Sequence, residues 1–395
     1  MIGFDEAFAL AARAGGVLGA EEVPLREAHR RVLAESVVAQ VRSPPADVSS
    51  MDGYAVRDAD LAEVPAGLRV AGESFAGRPF AGELPASSCV RIFTGAAVPL
   101  GTDRVIVQEE VERVGELARF TRPLPNAQYI RPAGSDFERG EKLLPSGTVL
   151  TPRALVAVAA ADLDRVRVVR RPVLRLLSTG DELVEPGTAR TVANAIPESI
   201  SVGVAALADE WGARVEAAVR LPDKLSTMEA AAAAALDVAD AVVVSGGASV
   251  GEKDFARTMF EASGLELIFS KVAIKPGKPV WLGRARGRLV LGLPGNPTSA
   301  LVTARLFLAP LLCSLTGRDP AEATAWRRLP LGEALKPAGE RETFARGFLQ
   351  NGAVRLFGHQ DSRAQKVLAQ ASLLVRLPIG DQPLRTGSVV EVLDF

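Results

Sequence analysis

The order of apolar and polar positions gives the chain two different rhythms. Between residues 171 and 318, short apolar runs such as 241–245 alternate with longer stretches of helical spacing such as 224–239. Strands that alternate with helices favour a parallel sheet covered on both faces. Between residues 55 and 135, short β-like runs are separated by glycine and proline, which is typical of a small β domain.

These rhythms predict three consecutive regions in a multidomain α/β plus β fold. Residues 1–170 form an N-terminal region into which a β domain, residues 55–135, is inserted. Residues 171–318 form a doubly wound α/β domain, and the strand-like residues 319–395 form a small β domain. Pro310 lies in the last helix of the α/β domain, where a proline is expected to kink or end the helix.

Composition narrows the possible chemistry. The 395 residues carry a formal net charge of −1 and include two histidines and two cysteines. No basic excess indicates nucleic acid, and two distant cysteines cannot build a disulfide framework or a zinc site. The N-terminus lacks a signal pattern, and no apolar run approaches the roughly 20 residues that span a bilayer. A cytoplasmic protein without nucleic-acid or membrane partners is therefore expected.

A glycine-rich segment follows the apolar run 241–245 and leads into a predicted helix. The segment contains Ser245, Gly246, Gly247, Ser249 and Gly251, and Asp254 follows it in the first helical turn. Backbone N–H groups of such a turn, together with the helix N-terminus, can bind a phosphate. Asp254 is then a candidate Mg²⁺ ligand, although a carboxylate there also stabilises its own helix dipole.

Two further segments are candidates for binding an anion, because α/β sheets bind ligands at the carboxyl ends of their strands. Lys275 and Lys278 lie on a proline-stiffened turn and either hold one anion together or are ordinary solvated lysines. Asn296 is expected to cap a helix that begins at Pro297, and Ser299 in its first turn is a candidate anion ligand.

Acidic and hydroxyl side chains also occur at predicted turns. Asp181 and Glu182 follow a predicted buried strand and are candidate metal ligands or general bases, or simply residues of a polar loop. In the N-terminal region, Asp52, Thr94 and Asp136 lie in segments that ordinary turn formation also explains. Spacing alone does not separate these alternatives.

The order of the motifs is more informative than any one of them. The segments SSMDGYAV, RIFTGAAVP, GSDFERG, STGDEL, SGGASVGEKDF, KPGKP, GLPGNPTSA and GHQDS follow one another along almost the whole chain. In this order the chain resembles the MoeA family of molybdopterin molybdenumtransferases, to which the E domains of gephyrin and of the plant Cnx proteins also belong.

The resemblance implies a fold and a reaction. The fold would comprise the N-terminal region with its inserted β domain, a central MogA-like α/β domain and a small C-terminal β-barrel. Homodimers would form, with the cleft completed by the N-terminal region of the partner subunit. The reaction would insert molybdate into adenylylated molybdopterin with Mg²⁺ and release AMP. A MogA- or MoaB-like adenylyltransferase and molybdoenzyme maturation proteins are the expected partners.

The resemblance also implies a role for individual residues. The residues that would hold molybdate are Lys275, Lys278, Pro279, Ser299, Arg346 and Ser362. Those that would bind the pterin nucleotide are Ser245, Gly246, Gly247, Ser249, Gly251, Pro294, Gly295, Asn296 and Pro297. The catalytic set would be Asp52, Thr94, Asp136, Glu182, Asp223 and Asp254, of which Asp254 and Glu182 would bind Mg²⁺.

Two positions depart from the family pattern. Where family members carry Asp-Ser-Asn before the first central helix, this chain has Glu198, Ser199 and Ile200, with Asn194 nearby but out of register. Asp361 places an acidic group beside the predicted oxyanion site, which is unfavourable unless it points away. These changes keep open a non-catalytic pterin-binding paralogue, and the central domain alone would also suit a molybdopterin adenylyltransferase.

Overall fold

A mixed sheet at the centre of the chain joins an N-terminal region and a C-terminal β domain. The computed structural model describes residues 1–123, 125–246 and 255–395. In residues 1–170 the helices and strands are α1 (Phe4–Ala14), β1 (Ala20–Pro24), β2 (Val37–Val38), β3 (Val48–Ser49), β4 (Gly53–Val56), β5 (Ala66–Ser74), β6 (Ser88–Ile92), β7 (Arg104–Val107), β8 (Val111–Val114), β9 (Leu117–Phe120), β10 (Ile130–Arg131), β11 (Lys142–Leu144), α2 (Pro152–Ala160) and β12 (Arg165–Val169).

The remaining elements continue in chain order. They are β13 (Val173–Thr179), β14 (Leu183–Val184), β15 (Ile196–Pro197), α3 (Ile200–Glu210), β16 (Arg214–Leu221), α4 (Leu225–Val238), β17 (Ala241–Ser245), α5 (Phe255–Glu261), β18 (Glu266–Phe269), β19 (Ile274–Lys275), β20 (Trp281–Ala285), β21 (Arg288–Leu293), α6 (Pro297–Thr303), α7 (Ala309–Thr316), β22 (Arg327–Pro330), β23 (Glu342–Gln350), β24 (Ala353–Leu356), α8 (Gln365–Gln370), β25 (Leu373–Leu377) and β26 (Val389–Asp394). Short 3-10 helices occur at Leu25–Glu27, Asp58–Leu61, Gln108–Glu110, Ala189–Thr191 and Pro320–Thr324.

The central sheet has the strand order β16-β13-β17-β21-β20-β18. The first four strands are parallel, whereas β20 and β18 are antiparallel to their neighbours, so the sheet is mixed rather than wholly parallel as predicted. From β13 the chain passes to β16 on one side and then crosses to β17 on the other. The carboxyl ends of β13 and β17 therefore form a topological switch point, where sheets of this kind bind ligands.

Alternate side chains of the central strands pack against different helices. Leu176 and Val243 face the cluster that contains α3, α6 and α7, together with Phe4 of α1. Leu177 and Val242 face the opposite cluster, which contains α4 and α5. The doubly wound architecture predicted from the alternation is therefore confirmed, and the N-terminal helix α1 contributes to the central core.

The N-terminal region contains a separate six-stranded sheet, in the order β7-β4-β6-β5-β9-β8. Its strands lie between Gly53 and Phe120, inside the predicted β domain except at its first two residues. Near residues 30–41 the secondary structure comprises the short strand β2 and isolated bridges such as Val32 to Val149. Strand β12, just before the central domain, pairs with β1.

The C-terminal domain shares a strand with the central segment of the chain. Its sheet has the order β19-β23-β25-β26-β22. Strand β24 also pairs with β23, on the side opposite to β25. Strand β19 precedes this domain by more than fifty residues in sequence, yet Lys275 pairs with Thr343 of β23. The predicted turn that contains the two lysines is therefore anchored to the C-terminal sheet.

One long helix passes through the core between β21 and the C-terminal domain. It joins α6, a π-helical turn at Ala304–Leu308 and α7, so Pro310 neither ends the helix nor separates it into two. The π turn lies where the missing N–H of Pro310 would otherwise leave a carbonyl without its partner. Pro297–Thr316 has 20 residues and a mean hydropathy of 1.6, which corrects the expectation that no apolar run reaches that length. Because 89% of it is buried, its apolar character is that of a core helix.

Truncation of Phe307 tests the packing of this helix. Phe307 is 0% exposed, and its ring lies 6.0 Å from that of Phe4 and 5.7 Å from that of Phe269. We expect Phe307→Ala to lower the free energy of unfolding by about 3–5 kcal/mol in urea titrations, because a large cavity remains. Val114→Ala, at a half-exposed position, should change it by less than about 0.5 kcal/mol. Equal effects would contradict a core role for this helix.

Candidate functional site

Two glycine-containing loops meet at the switch point. Gly246 follows β17 with φ +93°, and a Cβ there would lie 2.4 Å from the carbonyl oxygen of Thr179 at the end of β13. A Cβ on Gly295, after β21, would lie 3.3 Å from the Cα of Gly246. These approaches require glycine, since any side chain would separate the loops. The predicted pair of glycine loops therefore lines one crevice.

The floor of this crevice carries hydroxyl groups. Ser245 is buried, and its hydroxyl donates a 3.2 Å hydrogen bond to the Ser178 hydroxyl. Pro294 is also buried, whereas Gly295 is exposed at the mouth. The predicted ligands Gly247, Ser249, Gly251 and Asp254 lie outside the described residues.

Helix α6 begins directly after the second glycine loop. Asn296 occupies the N-cap position, as predicted, but its side chain makes no capping hydrogen bond. The side-chain amide instead donates a 3.1 Å hydrogen bond to the hydroxyl of Ser362. Pro297 stands at the first helical position, as predicted, and Ser299 is buried. The hydroxyl of Thr298 is buried without a hydrogen-bond partner among the described residues, and nothing in the pattern of residues around it marks it in advance.

The lysine turn lies against the same helix. Gly277 has φ +106° and is buried, and a Cβ there would lie 2.1 Å from the Thr303 methyl group of α6. Lys275 and Lys278 on either side of it are exposed, and Pro279 is half-buried. The turn thus places its backbone on α6 and its two ammonium groups in solvent. Helix α6 therefore contacts the glycine loops at its beginning and the lysine turn at its end.

Arg346 of β23 contributes a buried cation. Its residue is 1% exposed, and burial lowers the pKa of its guanidinium from the ordinary value. One terminal nitrogen donates a 3.0 Å hydrogen bond to the carbonyl oxygen of Asp361, whereas the buried Nε has no partner among the described residues. A buried donor without a partner is costly, so a ligand oxygen that accepts from it would bind favourably.

An acidic edge lies at the ends of β13 and β16. The backbone N–H of Asp223 donates a 3.0 Å hydrogen bond to the carboxylate of Asp181, which joins the two loops. Glu182 is exposed, and its carboxylate lies where a Cβ on Gly180 would come within 2.7 Å of it. No group of three metal-ligating side chains occurs in the described ranges. One or two carboxylates can hold Mg²⁺ when substrate phosphates and water molecules supply the remaining ligands.

A second group of predicted residues lies in the N-terminal region. The carboxylate of Asp52 accepts hydrogen bonds of 2.8 Å from both the backbone N–H and the hydroxyl of Thr94. These bonds, that from the backbone first, lower the pKa of Asp52, so it is a carboxylate at neutral pH. The backbone of Asp136 donates to Ser43 instead. The hydrogen bonds of these three residues, in the described part of the chain, stay within the N-terminal region.

Comparison with known proteins assigns the family. The MoeA N-terminal region (domain I and II) matches residues 2–161, a probable molybdopterin binding domain matches residues 175–313, and the MoeA C-terminal region (domain IV) matches residues 328–395. The molybdopterin molybdenumtransferase of Haemophilus influenzae is 41% identical over 335 residues, which cover 83% of this chain and 81% of that protein. The chain belongs to the MoeA family. The resemblance predicted from the order of the motifs is thereby confirmed.

Other MoeA relatives agree over nearly the whole chain. The molybdopterin molybdenumtransferase of Synechococcus elongatus is 34% identical and covers 95% of this chain and 94% of its own. The crystal structure of a molybdopterin biosynthesis MoeA protein from Pyrococcus horikoshii covers all of both chains with a TM-score of 0.86 and 26% identity. The predicted fold class and the predicted enzyme class, a transferase of molybdenum cofactor biosynthesis, are those of this family.

The first departure from the MoeA pattern has a structural explanation. Glu198 is buried, and its carboxylate accepts hydrogen bonds from the backbone N–H of Ser201, at 2.9 Å, and from the Ser201 hydroxyl. It therefore caps the start of α3, which Ser199 does not. Ile200 packs against the central core and lines a small crevice with Ser178 and Ser245. The isoleucine thus replaces a polar side chain with a packing one beside the glycine loop.

The second departure, Asp361, does not carry an unpaired charge. Its carboxylate accepts hydrogen bonds from Arg363, at 2.8 Å from the backbone N–H and at 3.2 and 3.3 Å from the guanidinium. The Arg363 side chain, and then its backbone N–H, lower the pKa of Asp361 to about 2. The negative charge is therefore paired within its own turn, which weakens its repulsion of a nearby anion.

Substitution of Gly277 tests the contact between the lysine turn and α6. We expect Gly277→Ala to lower the free energy of unfolding by about 2–4 kcal/mol in urea, since the added methyl group combines backbone strain with overpacking. Gly82 has φ +99° but open space around it, so Gly82→Ala shares the strain without the clash. Its expected loss is about 1 kcal/mol. Similar losses for both variants would argue against close packing at Gly277.

Proposed function

We propose that this protein inserts molybdate into adenylylated molybdopterin in the presence of Mg²⁺ and releases AMP. The observation that carries the proposal is the set of contacts of α6. The helix follows Gly295, which lies against Gly246, its first turn follows Asn296, which binds Ser362, and its last residue packs against Gly277. Three segments with anion-binding chemistry thus surround one helix.

The cationic side of this crevice suits a small tetrahedral dianion. Lys275 and Lys278 supply two ammonium groups on a turn that is held at both ends, by β23 and by α6. Arg346 adds a guanidinium whose buried Nε–H has no partner among the described residues. Fixed donors bind such an anion better than mobile ones, because less side-chain entropy is lost. Ser299, Ser362 and Pro279 complete the proposed molybdate site, which would accept tungstate equally well on charge and shape.

The glycine side suits the pyrophosphate of the activated pterin. Gly246 and Gly295 leave the backbone open to a ligand, and the N-terminus of the long helix at Pro297 favours negative charge. The proposed pterin-nucleotide site also includes Ser245, Pro294 and the undescribed 247–251. Because α6 contacts the glycine loops at its beginning and the lysine turn at its end, the pyrophosphate and the oxyanion would bind near the two ends of this short helix.

Glu182, with Asp254 outside the described residues, would hold Mg²⁺, and Asp223 lies in the neighbouring loop. When bound, Mg²⁺ would neutralise pyrophosphate charge and favour cleavage of the phosphorus–oxygen bond that releases AMP. The exposed carboxylate of Glu182 at the rim fits this role, since Mg²⁺ is commonly held by one or two carboxylates and by substrate phosphates.

We further propose a cytoplasmic homodimer in which Asp52, Thr94 and Asp136 of one subunit face the cleft of the other. The support is that these residues are preorganised by their own hydrogen bonds, which stay within their own region in the described part of the chain. A separate adenylyltransferase would have to supply the activated pterin, and a molybdoenzyme maturation protein would receive the product.

The lysines provide the first test. In assays with purified protein, Mg²⁺ and adenylylated molybdopterin, molybdate should trigger AMP release. Lys275→Ala and Lys278→Ala should each raise the KM for molybdate about 10–100-fold, because each removes a charge-assisted hydrogen bond, while the KM for the pterin nucleotide changes less than about twofold. Lys142→Ala, at an exposed position of β11, is the control and should behave as wild type.

Two results would contradict the proposal. If the folded wild-type protein binds the pterin nucleotide but releases no AMP, the non-catalytic alternative is correct. If both KM values rise together in the lysine variants, the lysines do not form a separate oxyanion site.

Co-expression of two inactive variants tests the shared cleft. At a molybdate concentration well below the KM of the lysine variants, Asp52→Ala and Lys278→Ala should each release little AMP, because each impairs one side of every site. If the cleft is shared, mixed dimers contain one intact site, and a statistical mixture should recover about a quarter of wild-type activity. Lys275→Ala with Lys278→Ala, which damage the same side, is the matched control and should recover none. Recovery in the control, or none in the test pair, would place the whole site within one chain.

A further inference from the structure

The side chain of Gln360 forms an unusually complete set of contacts with one residue. Its amide oxygen accepts a 2.9 Å hydrogen bond from the backbone N–H of Arg346, and its amide nitrogen donates at 2.8 Å to the carbonyl oxygen of Arg346. The same nitrogen donates at 2.8 Å to the carbonyl oxygen of Phe357. The backbone N–H of Phe357 donates to the carbonyl of Arg346 at 3.2 Å.

These contacts occur where a neighbouring strand ends. Strand β24 pairs with β23 only from Gly347 onwards, so Arg346 has no strand partner on that side. An unpaired backbone N–H and C=O inside a domain would be costly. The Gln360 amide satisfies both groups and thereby continues the ladder by one residue. It fixes the backbone from which the Arg346 guanidinium projects.

The residues after Gln360 fix the guanidinium itself. The carbonyl oxygen of Asp361 accepts from Arg346 and also, at 3.1 Å, from the backbone N–H of Ala364. Arg363 binds the Asp361 carboxylate and so holds this turn closed. The next residue, Ser362, accepts from Asn296 at 3.1 Å. One short loop thus determines the positions of Arg346, Ser362 and Asn296 together.

We propose that Gln360 is a positioning residue for oxyanion binding, acting through Arg346. The inference rests on the proposed function for the identity of the oxyanion, molybdate. The direct binding group is Arg346, whose buried Nε has no partner in the ranges that the structure describes. Without the Gln360 amide, the backbone N–H of Arg346 loses its partner and its carbonyl keeps only the bond from Phe357, so the guanidinium loses its fixed direction. Binding of the oxyanion then has to restore that order, which weakens affinity.

Equilibrium dialysis with molybdate alone tests this inference without requiring turnover. The full-length protein is used throughout. Gln360→Met keeps the length of the side chain but removes all three hydrogen bonds, and we expect it to raise the Kd for molybdate about tenfold. Gln350→Met, at the exposed end of the same strand, is the matched control and should leave the Kd unchanged.

A double-mutant cycle separates positioning from a general loss of structure. Arg346→Lys should itself weaken molybdate binding, because lysine cannot supply the buried Nε donor. On the Arg346→Lys background, Gln360→Met should change the Kd by less than about twofold, since the group it positions is gone. Thermal unfolding of the four proteins shows whether each remains folded, and the comparison between backgrounds is unaffected by a uniform change in stability.

The outcomes distinguish the two proposals. If wild type binds molybdate with the predicted dependence on Gln360 and Arg346 but releases no AMP, the positioning role stands and the proposed reaction fails. If Gln360→Met leaves the Kd unchanged, or weakens binding equally on both backgrounds, the positioning role is overturned while the reaction can still hold. If wild type does not bind molybdate, both are overturned.

Discussion

The close approach of Gly246 to Gly295 is the constraint on which the rest of the site depends. It brings together the ends of β17 and β21, next to the β13–β17 switch point, where Gly246 also lies against Thr179. Because β21 leads directly into the long buried helix, the same approach fixes where that helix begins. The helix is surrounded by core side chains along most of its length, so its position is set by packing rather than by the ligand. A ligand that enters the crevice therefore meets donors that are already in place.

The electrostatics of the site follow from how its charges are held. Asp361 is neutralised by Arg363 within its own turn, whereas Arg346 is buried with an N–H that no described residue accepts. Lys275 and Lys278 are exposed, but the backbone between them is not. Asp361 is thus paired, whereas Arg346 keeps a free donor among the described residues and Glu182 is exposed at the acidic edge. In the proposed function, the cationic donors suit the oxyanion and the exposed carboxylate suits Mg²⁺.

The sequence predicts the architecture better than it predicts individual contacts. Strand ends and glycine loops could be located because apolar runs and glycine positions carry their own physical signal. The direction of β18 and β20 could not be predicted, since a short apolar run does not show whether the strand runs parallel or antiparallel to its neighbour. Asn296 is the predicted N-cap residue, but its side chain does not cap the helix, because its amide binds Ser362, which is distant in the chain. Thr298 and Gln360 were missed because only the fold shows which backbone and side-chain groups surround them.

Strand β19 carries the first lysine of the turn but forms part of the C-terminal sheet. The chain therefore passes three times between the two folded bodies on either side of the crevice, from β18 to β19, from β19 to β20 and from α7 to β22. A single covalent connection permits free rotation, whereas several connections permit only a narrow motion. A C-terminal domain produced without the central segment would leave β23 without its neighbour β19. The lysine turn therefore links the C-terminal sheet to α6 and restricts the motion of one against the other.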